Sequence, residues 1–520
     1  MTRARAARAS RFGRALARWR RQLGPDRVLV DHARLARYRR TNLSRAPAAA
    51  AAIRPERAEQ VPGLLRIARE HGIPLYPISC GRNWGWGEAC PVTAEQVVLD
   101  LGDLDRIVEV NAELGYAVVE PGVTQGQLAR TLASTAPQWW LESTNAGPET
   151  SIVGNTLERG LGMSDRTASL CGIEAVLPDG EIVRTGFGNF PRSRVTRLAK
   201  WGVGPNLEGL FSQSNLGVVT RMGLWLALRP RGAECCLISV AASALPRLID
   251  VLRPFRLRGM LATNVHIFPA PGRDGRPRWL AVGVLYGAAA ARAAIRRDIQ
   301  AAVATLGRSL FLPAEPRNVA RALKALDLRA TPGVADLFQA GATLCTGKPF
   351  SPSPAFVLTY LGGPQVQKTL RVPQSTDPLD NDYGLYFLWV TCPATGRDVK
   401  QAIRLVTEKS ARFGIRPQLT VQLPNGRAAV LVVRLCFNRR DPGERKRASR
   451  CYKAVLEATV RAGFPPWRLG IEGMSLLDRG LIDMTLPRRL KAWMDPNAIL
   501  APGRYLWPEP RRSGRRARRW

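Results

Sequence analysis

Residues 77–87 read PISCGRNWGWG and follow directly on the apolar run Ile73, Pro74, Leu75, Tyr76. An apolar run that ends in glycine-punctuated sequence predicts a strand and then a loop whose backbone can approach a ligand closely, since glycine adopts conformations closed to other residues. Successive free N–H groups in such a loop form a concave anion site suited to a pyrophosphate. The same pattern also describes a plain turn, so the loop alone leaves both readings open. Upstream, residues 58–71 carry Val61, Leu64, Leu65, Ile67 and Ala68 at helical spacing. Helix, strand and glycine loop in that order predict an α/β unit.

A chain of 520 residues with 45% hydrophobic composition can bury large cores, and its length suggests roughly two to four domains. The formal charge of +36 and pI near 11.2 would ordinarily point to nucleic acid or another anionic partner. Arginines outnumber lysines, however, and are spread along the chain without interleaved aromatics; only residues 3–21 and 511–519 are dense. The charge therefore reads as compositional bias, and a nucleic-acid partner is not expected. Nine cysteines occur without a CxxC pair, and His32, His71 and His266 are scattered, so no metal site is expected. No apolar run approaches the roughly 20 residues of a membrane span, and the N-terminus lacks a signal-peptide core. The expectation is a cytoplasmic protein with free thiols.

The N-terminal basic segment reads as a surface helix at 11–23, with a transit peptide as the alternative. Short β-like runs are expected at 96–101, 106–110 and 116–120, the last closed by Pro121 and Gly122. Residues 151–162 read SIVGNTLERGLG, a second glycine-punctuated loop. Runs 172–177 and 182–184 flank Pro178-Asp179-Gly180 and predict a hairpin. A strand-like stretch at 210–228 ends at Arg229-Pro230, where a domain boundary is placed. Beyond it, strands at 236–240 and 280–285 alternate with helices at 245–252 and 289–306. A proline- and glycine-rich region, 348–382, interrupts the pattern, which returns as strand 385–390, helix 398–413, strand 428–437 and helix 445–462. That repeat predicts a second α+β domain with one sheet faced by helices.

Five stretches taken together, 77–87, VVEPGVTQGQL at 118–128, 151–162, VGPNLEGLFSQSNLGVVTRMGLWL at 203–226 and DPNAILAPGR at 495–504, resemble the vanillyl-alcohol oxidase and p-cresol methylhydroxylase family of flavoproteins, in the family's order and over nearly the whole chain. The absence of GxGxxG fits a family that binds FAD on its own fold. The resemblance implies an α+β protein with a two-part FAD-binding domain and an α+β substrate-capping domain inserted between its halves. The parts would be residues 1–230 (core from about 55), 231–465 for the cap, 466–510 for the return, and a basic tail at 511–520. It also implies oxidoreductase chemistry: hydride leaves a benzylic carbon of a para-substituted phenol for the flavin, giving a quinone methide that water or the side chain's own oxygen resolves.

By the same resemblance Ser79, Cys80, Gly81, Arg82, Asn83 and Gly85 would cradle the pyrophosphate, and Pro121, Ser151, Gly154, Asn155 and Glu158 would line the cofactor. Gly217 to Val219 would meet the adenine end. Arg504 would stand near the flavin, where a cation stabilises negative charge on the reduced ring; a surface arginine in a basic tail is the plainer reading. Asp165 would act as acid or base, although the segment before it is shorter than in the family. Arg468 would pair with the substrate's phenolate. Trp467 and Trp86 stand where the family has tyrosines, so the two-tyrosine phenolate clamp is lost. Leu385 falls on the position of the covalent flavin link, so FAD is expected to be held without one, with Tyr383 or Tyr386 as the tether if the register slips. The substrate would be a small aromatic molecule; oxygen, a cytochrome and a quinone all stay open as electron acceptor, and so does a homodimer. Two rival readings remain: a dehydrogenase of the same fold for a non-phenolic alcohol, and a basic flavin-fold binding protein.

Overall fold

The computed structural model describes residues 3–45, 47–144, 146–313, 319–329, 347, 349, 378–380 and 382–506. Most of the proline- and glycine-rich region at 348–382 and the whole basic tail at 511–520 lie outside the described residues.

The N-terminal basic segment is helix α1 (Arg3–Leu23). It is seated by the fully buried Ala15 and Trp19, whose indole N–H donates to Leu64 O at 3.2 Å. Strands β1 (Val28–Leu29) and β2 (Ala51–Ile53) follow, then helix α2 (Val61–His71). Pro62 occupies the first turn of α2, where no N–H is needed, and Gly72 ends it in the left-handed conformation at φ 63°. Its stripe of Val61, Leu64, Leu65 and Ala68 is buried against β3 (Leu75–Ile78) and β4 (Val97–Asp100). These strands form a sheet of order β1-β2-β4-β3, with β2 and β3 both parallel to β4. The glycine-rich loop thus leaves the carboxyl end of a parallel strand, the end at which α/β sheets bind ligands.

Strands β5 (Ile107–Asn111), β6 (Tyr116–Val119), β8 (Leu170–Val176), β9 (Ile182–Arg184) and β10 (Val218–Trp225) make a second, antiparallel sheet of order β5-β6-β10-β8-β9; the short strands β7 (Trp139–Trp140) and β11 (Ala227–Leu228) pair separately. The expected hairpin joins β8 to β9. Helices α3 (Gln125–Thr135) and α4 (Ile152–Leu157) cover this sheet, capped by the hydroxyls of Thr124 and Ser151.

The middle of the chain builds an antiparallel sheet of order β15-β12-β14-β13-β17-β18-β16. Its first half is β12 (Ala233–Ala241), α5 (Leu245–Leu257), β13 (Val265–Pro271), β14 (Pro277–Tyr286), α6 (Ala289–Val303), β15 (Gly307–Pro313) and α7 (Val319–Ala325). The second half is β16 (Tyr383–Pro393), α8 (Gly396–Ala411), β17 (Gln418–Leu423), β18 (Ala428–Asn438) and α9 (Pro442–Arg461). The repeat read from the sequence is present, and β13, β15 and β17 are strands additional to it. Leu248, Val399, Val406 and Val455 on α5, α8 and α9 bury one face of the sheet. The other face carries Phe268, Leu385 and Phe387.

After α10 (Thr485–Met494) the chain returns to the first sheet. Leu500 bridges Leu75 of β3 in parallel, and the fully buried Lys491 holds Asp495 at 2.6 Å, Asn215 O at 2.8 Å and Leu500 O at 2.9 Å.

Candidate active site

Three sequence-distant pieces meet around a cleft of about 300 Å³: the loop after β3, the turn into α4 with the segment before β10, and the C-terminal return. Ser79, Cys80, Gly81, Arg82 and Asn83 line it, as do Pro121, Ser151, Gly154, Asn155, Glu158, Gly217, Val219 and Arg504. Backbone must approach closely here. A Cβ on Gly154 would stand 2.3 Å from Ser79 Oγ, and Gly81 has φ 66°. Ser151 fixes the turn, accepting from Gly154 N at 2.9 Å and donating to Pro121 O at 2.6 Å. Asn155 keeps a buried Oδ1 with no hydrogen-bond partner among the described residues. Gly85, predicted in the cradle, is not among the residues lining it. Its amide donates to Glu88 Oε1 at 2.7 Å and it lies against Phe387, where a Cβ would come within 2.7 Å.

Arg504 is buried and fully engaged, with Nη1 on Leu469 O at 3.0 Å and Nη2 on Glu158 Oε1 at 2.6 Å; the Tyr505 hydroxyl donates to Glu158 Oε2 at 2.7 Å. It is not a surface arginine. Burial alone would raise the Glu158 carboxyl, but the charges of Arg504 and Arg468 hold it below the usual carboxylate range.

The far end of the cleft is aromatic and cationic. Arg468, buried, lies with its guanidinium carbon 4.2 Å from the Trp86 ring centroid and 4.6 Å from that of Trp389, the two rings standing edge to face. Its Nη1 makes one long bond, 3.4 Å to Glu158 O, and its Nε has no hydrogen-bond partner among the described residues. Burial takes its pKa down to about 10, so it remains a cation at neutral pH. Phe387 stacks on Trp86 at 5.9 Å.

Two predicted catalytic residues are not brought to the cleft. Asp165 caps the short helical turn Arg166–Ser169, its Oδ1 accepting from Thr167 N at 3.0 Å and from Thr167 Oγ1 at 2.7 Å. The local cap takes up one carboxylate oxygen, and the cleft wall on this segment is made by Gly160 and Leu161. Trp467 donates its indole N–H to Arg159 O at 2.8 Å and packs with Leu161 and Val432 behind the wall; the second ring on Arg468 is Trp389.

Sequence reasoning missed Phe387, Trp389, Glu88, Gln422 and Arg434, all of which line the cleft. Period-two alternation along β16 puts Leu385, Phe387 and Trp389 on one face and could have found the first two. Gln422 and Arg434 arrive through sheet register, Arg434 opposite Phe387, which no local pattern carries. Glu88 accepts from Thr41 Oγ1 and Gly85 N, and burial raises its pKa to about 7. Neither tyrosine considered as a tether lines the cleft. Tyr386 lies on the opposite face of β16 from Leu385, stacked on Phe437 and Tyr452 with its hydroxyl 2.5 Å from Ser44 Oγ; Tyr383 is buried in a core with Leu385.

An elongated cleft whose cradle has no room for side chains at Gly154 and Gly217, with donors at one end and an aromatic wall at the other, fits FAD. A profile of the FAD binding domain family matches residues 49–186. The chain is 34% identical to 1'-carboxy-chondrochloren decarboxylase of Chondromyces crocatus, over 95% of this chain and 98% of that protein. It is 29% identical to the flavoprotein subunit of 4-cresol dehydrogenase (hydroxylating) of Pseudomonas putida, over 95% of each. The solved structure of p-cresol methylhydroxylase with substrate bound superposes with a TM-score of 0.83 at 26% identity, covering 95% of this chain and 97% of that one. Cradle, order of motifs and full-length likeness agree, and the chain belongs to the p-cresol methylhydroxylase and vanillyl-alcohol oxidase family of FAD-dependent oxidoreductases.

Proposed function

We propose that the enzyme oxidises an aromatic substrate that carries an anionic group, removing hydride from a benzylic-type carbon, with Arg468 holding the anion. The observation that carries this reading is the Arg468 guanidinium, set against the rings of Trp86 and Trp389 and leaving Nε without a hydrogen-bond partner among the described residues. A buried cation of this kind stabilises an oxyanion strongly. Bound FAD supplies the hydride acceptor. The residues of the chain do the rest: Trp86, Phe387 and Trp389 hold the ring, and Arg468 keeps a phenol ionised. Ionisation matters because the phenolate's electron pair flows toward the para carbon as hydride leaves, yielding a neutral quinone methide that water converts to an alcohol. With tryptophans in place of hydroxyl donors, ionisation rests on Arg468 itself.

A second reading is favoured by Arg434, a second buried guanidinium on the cleft wall, together with the relative that is by name a decarboxylase. Here the substrate also bears a carboxylate one carbon beyond the benzylic position. Its C–C bond breaks to release CO₂, and that electron pair forms the alkene as hydride leaves the neighbouring carbon.

Replacing Arg468 by Met keeps the packing and removes the charge. Affinity for a phenolate such as 4-chlorophenol, titrated against the holoenzyme, is expected to fall about 10- to 100-fold, the range of a hydrogen bond to a charged group, while 4-chloroanisole, which cannot ionise, is unaffected. Equal affinity of both enzymes for the phenol would sink the reading. Loss of about 46 mass units, CO₂ and two hydrogens, from a 4-hydroxyphenyl-propanoate substrate separates oxidative decarboxylation from simple oxidation, which keeps the carboxylate.

A further inference from the structure

Arg468 borders two spaces. Besides the cleft it lines a second cavity of about 440 Å³ with Leu210, Leu216, Leu469, Leu477, Ile482 and Leu490 among its walls. Gln213, Ser214 and Arg468 line both, so the two meet at the residue assigned to the substrate's anionic group. The inner wall, Leu216, Leu469 and Leu477, is buried, whereas the outer wall on α10 is half-buried and continues into the exposed Leu486 and Trp493. An apolar space of this size falls in the range of small-molecule sites, and apolar surface held open in this way is unfavourable until an apolar group covers it.

We propose that this cavity is a subsite for an unbranched apolar chain on the substrate, attached beside the anionic group and not at the reacting carbon. The natural substrate would then be a long amphiphile with its aromatic head in the cleft. The position of attachment follows from the geometry. The reacting carbon must face the cofactor in the cleft, and the second cavity shares with the cleft the cation that holds the opposite end of the ring. The walls it shares with the cleft, Gln213, Ser214 and Arg468, and the cation among them favour a small amphiphile over a protein segment. The inference rests on Arg468 as the anion anchor.

The test is calorimetric titration of the holoenzyme with 4-chlorophenols bearing n-alkyl chains from methyl to octyl at position 2; these lack the para carbon that would react. Affinity is expected to rise about two- to fourfold per methylene until the cavity is full. Leu490→Trp, which fills the outer half, should abolish that rise and leave the methyl compound bound as before, and Ile482→Trp should do the same from the other wall. A flat series overturns the proposal, as does a rise that both variants leave intact. If the series is flat and Leu490→Trp instead changes the sedimentation mass, the cavity is a contact between copies of the chain, which equally overturns it. Should the methyl compound itself bind no better to the wild type than to Arg468→Met, the anchor reading has failed and not the subsite alone.

Discussion

Glu88 ties the end of the glycine-rich loop to the segment before β2, its oxygens taken up by Thr41, Gly85 N and Asn42 N. Full burial raises its pKa from 4.5 to about 7. A carboxyl raised in this way stabilises the fold while it is protonated. That contribution is complete below about 4.5 and is lost as pH climbs through 7, for a total of about 3 kcal/mol at this size of shift. Glu88→Gln keeps an acceptor for Gly85 N and removes the charge. Melting curves should therefore fall from pH 5 to 8 in the wild type and stay flatter in the variant; parallel profiles would place the titration elsewhere. Nothing local in the sequence marked Glu88, because its burial comes from residues far along the chain. The reverse holds for Asp165: the family resemblance suggested chemistry, but a carboxylate two residues before a threonine can satisfy itself by capping. Arg504 was legible because it ends a motif whose neighbours are also recognisable, whereas Arg468 lies outside the five motifs and was read from the family resemblance alone.

Strand β16 shows what an element adds. Once its pleat is set by pairing with β18 over residues 383–393, a one-residue change of register would exchange every side chain between the helix-packed core and the cleft. Leu388 and Val390 are in that core, and Phe387 and Trp389 are on the cleft side, which holds Leu385 against Gly85. Tyr386 is thereby committed to Ser44 and the core, where burial lifts its pKa to about 12. A leucine offers no nucleophile, so the flavin is expected to be bound without a covalent link. Acid precipitation should leave the yellow colour in the supernatant; flavin retained in the pellet would mean that another residue makes the bond. The alternation of β16 was readable in advance, whereas β13, β15 and β17 were not. They are short or interrupted by proline, and their strand character comes from neighbours within the sheet more than from their own residues.

At the scale of the molecule, the cleft exists because the last part of the chain comes back to the first sheet. Its order of motifs was legible, since each stretch carries its own glycines and prolines, but the device that holds the return was not. Lys491 and Asp495 form a fully buried ion pair one helical turn apart. The ammonium also binds Asn215 O and Leu500 O, while the carboxylate accepts from Ile499 N at 2.9 Å and Leu500 N at 2.8 Å. Burial pushes the lysine pKa down and Asp495 opposes it; the pair is held by the completeness of its partners. Removing one member strands the other in the interior, a loss of about 3–5 kcal/mol. Asn215 and Leu500, which bond the pair, line the cleft, as do Ala501 and Arg504 just beyond them, so the loss should reach the cofactor. Lys491→Met is expected to lower the melting temperature and also to weaken FAD binding, read as flavin fluorescence released on dilution of the holoprotein. Lower stability with unchanged flavin affinity would show that the pair stabilises the return without shaping the cleft.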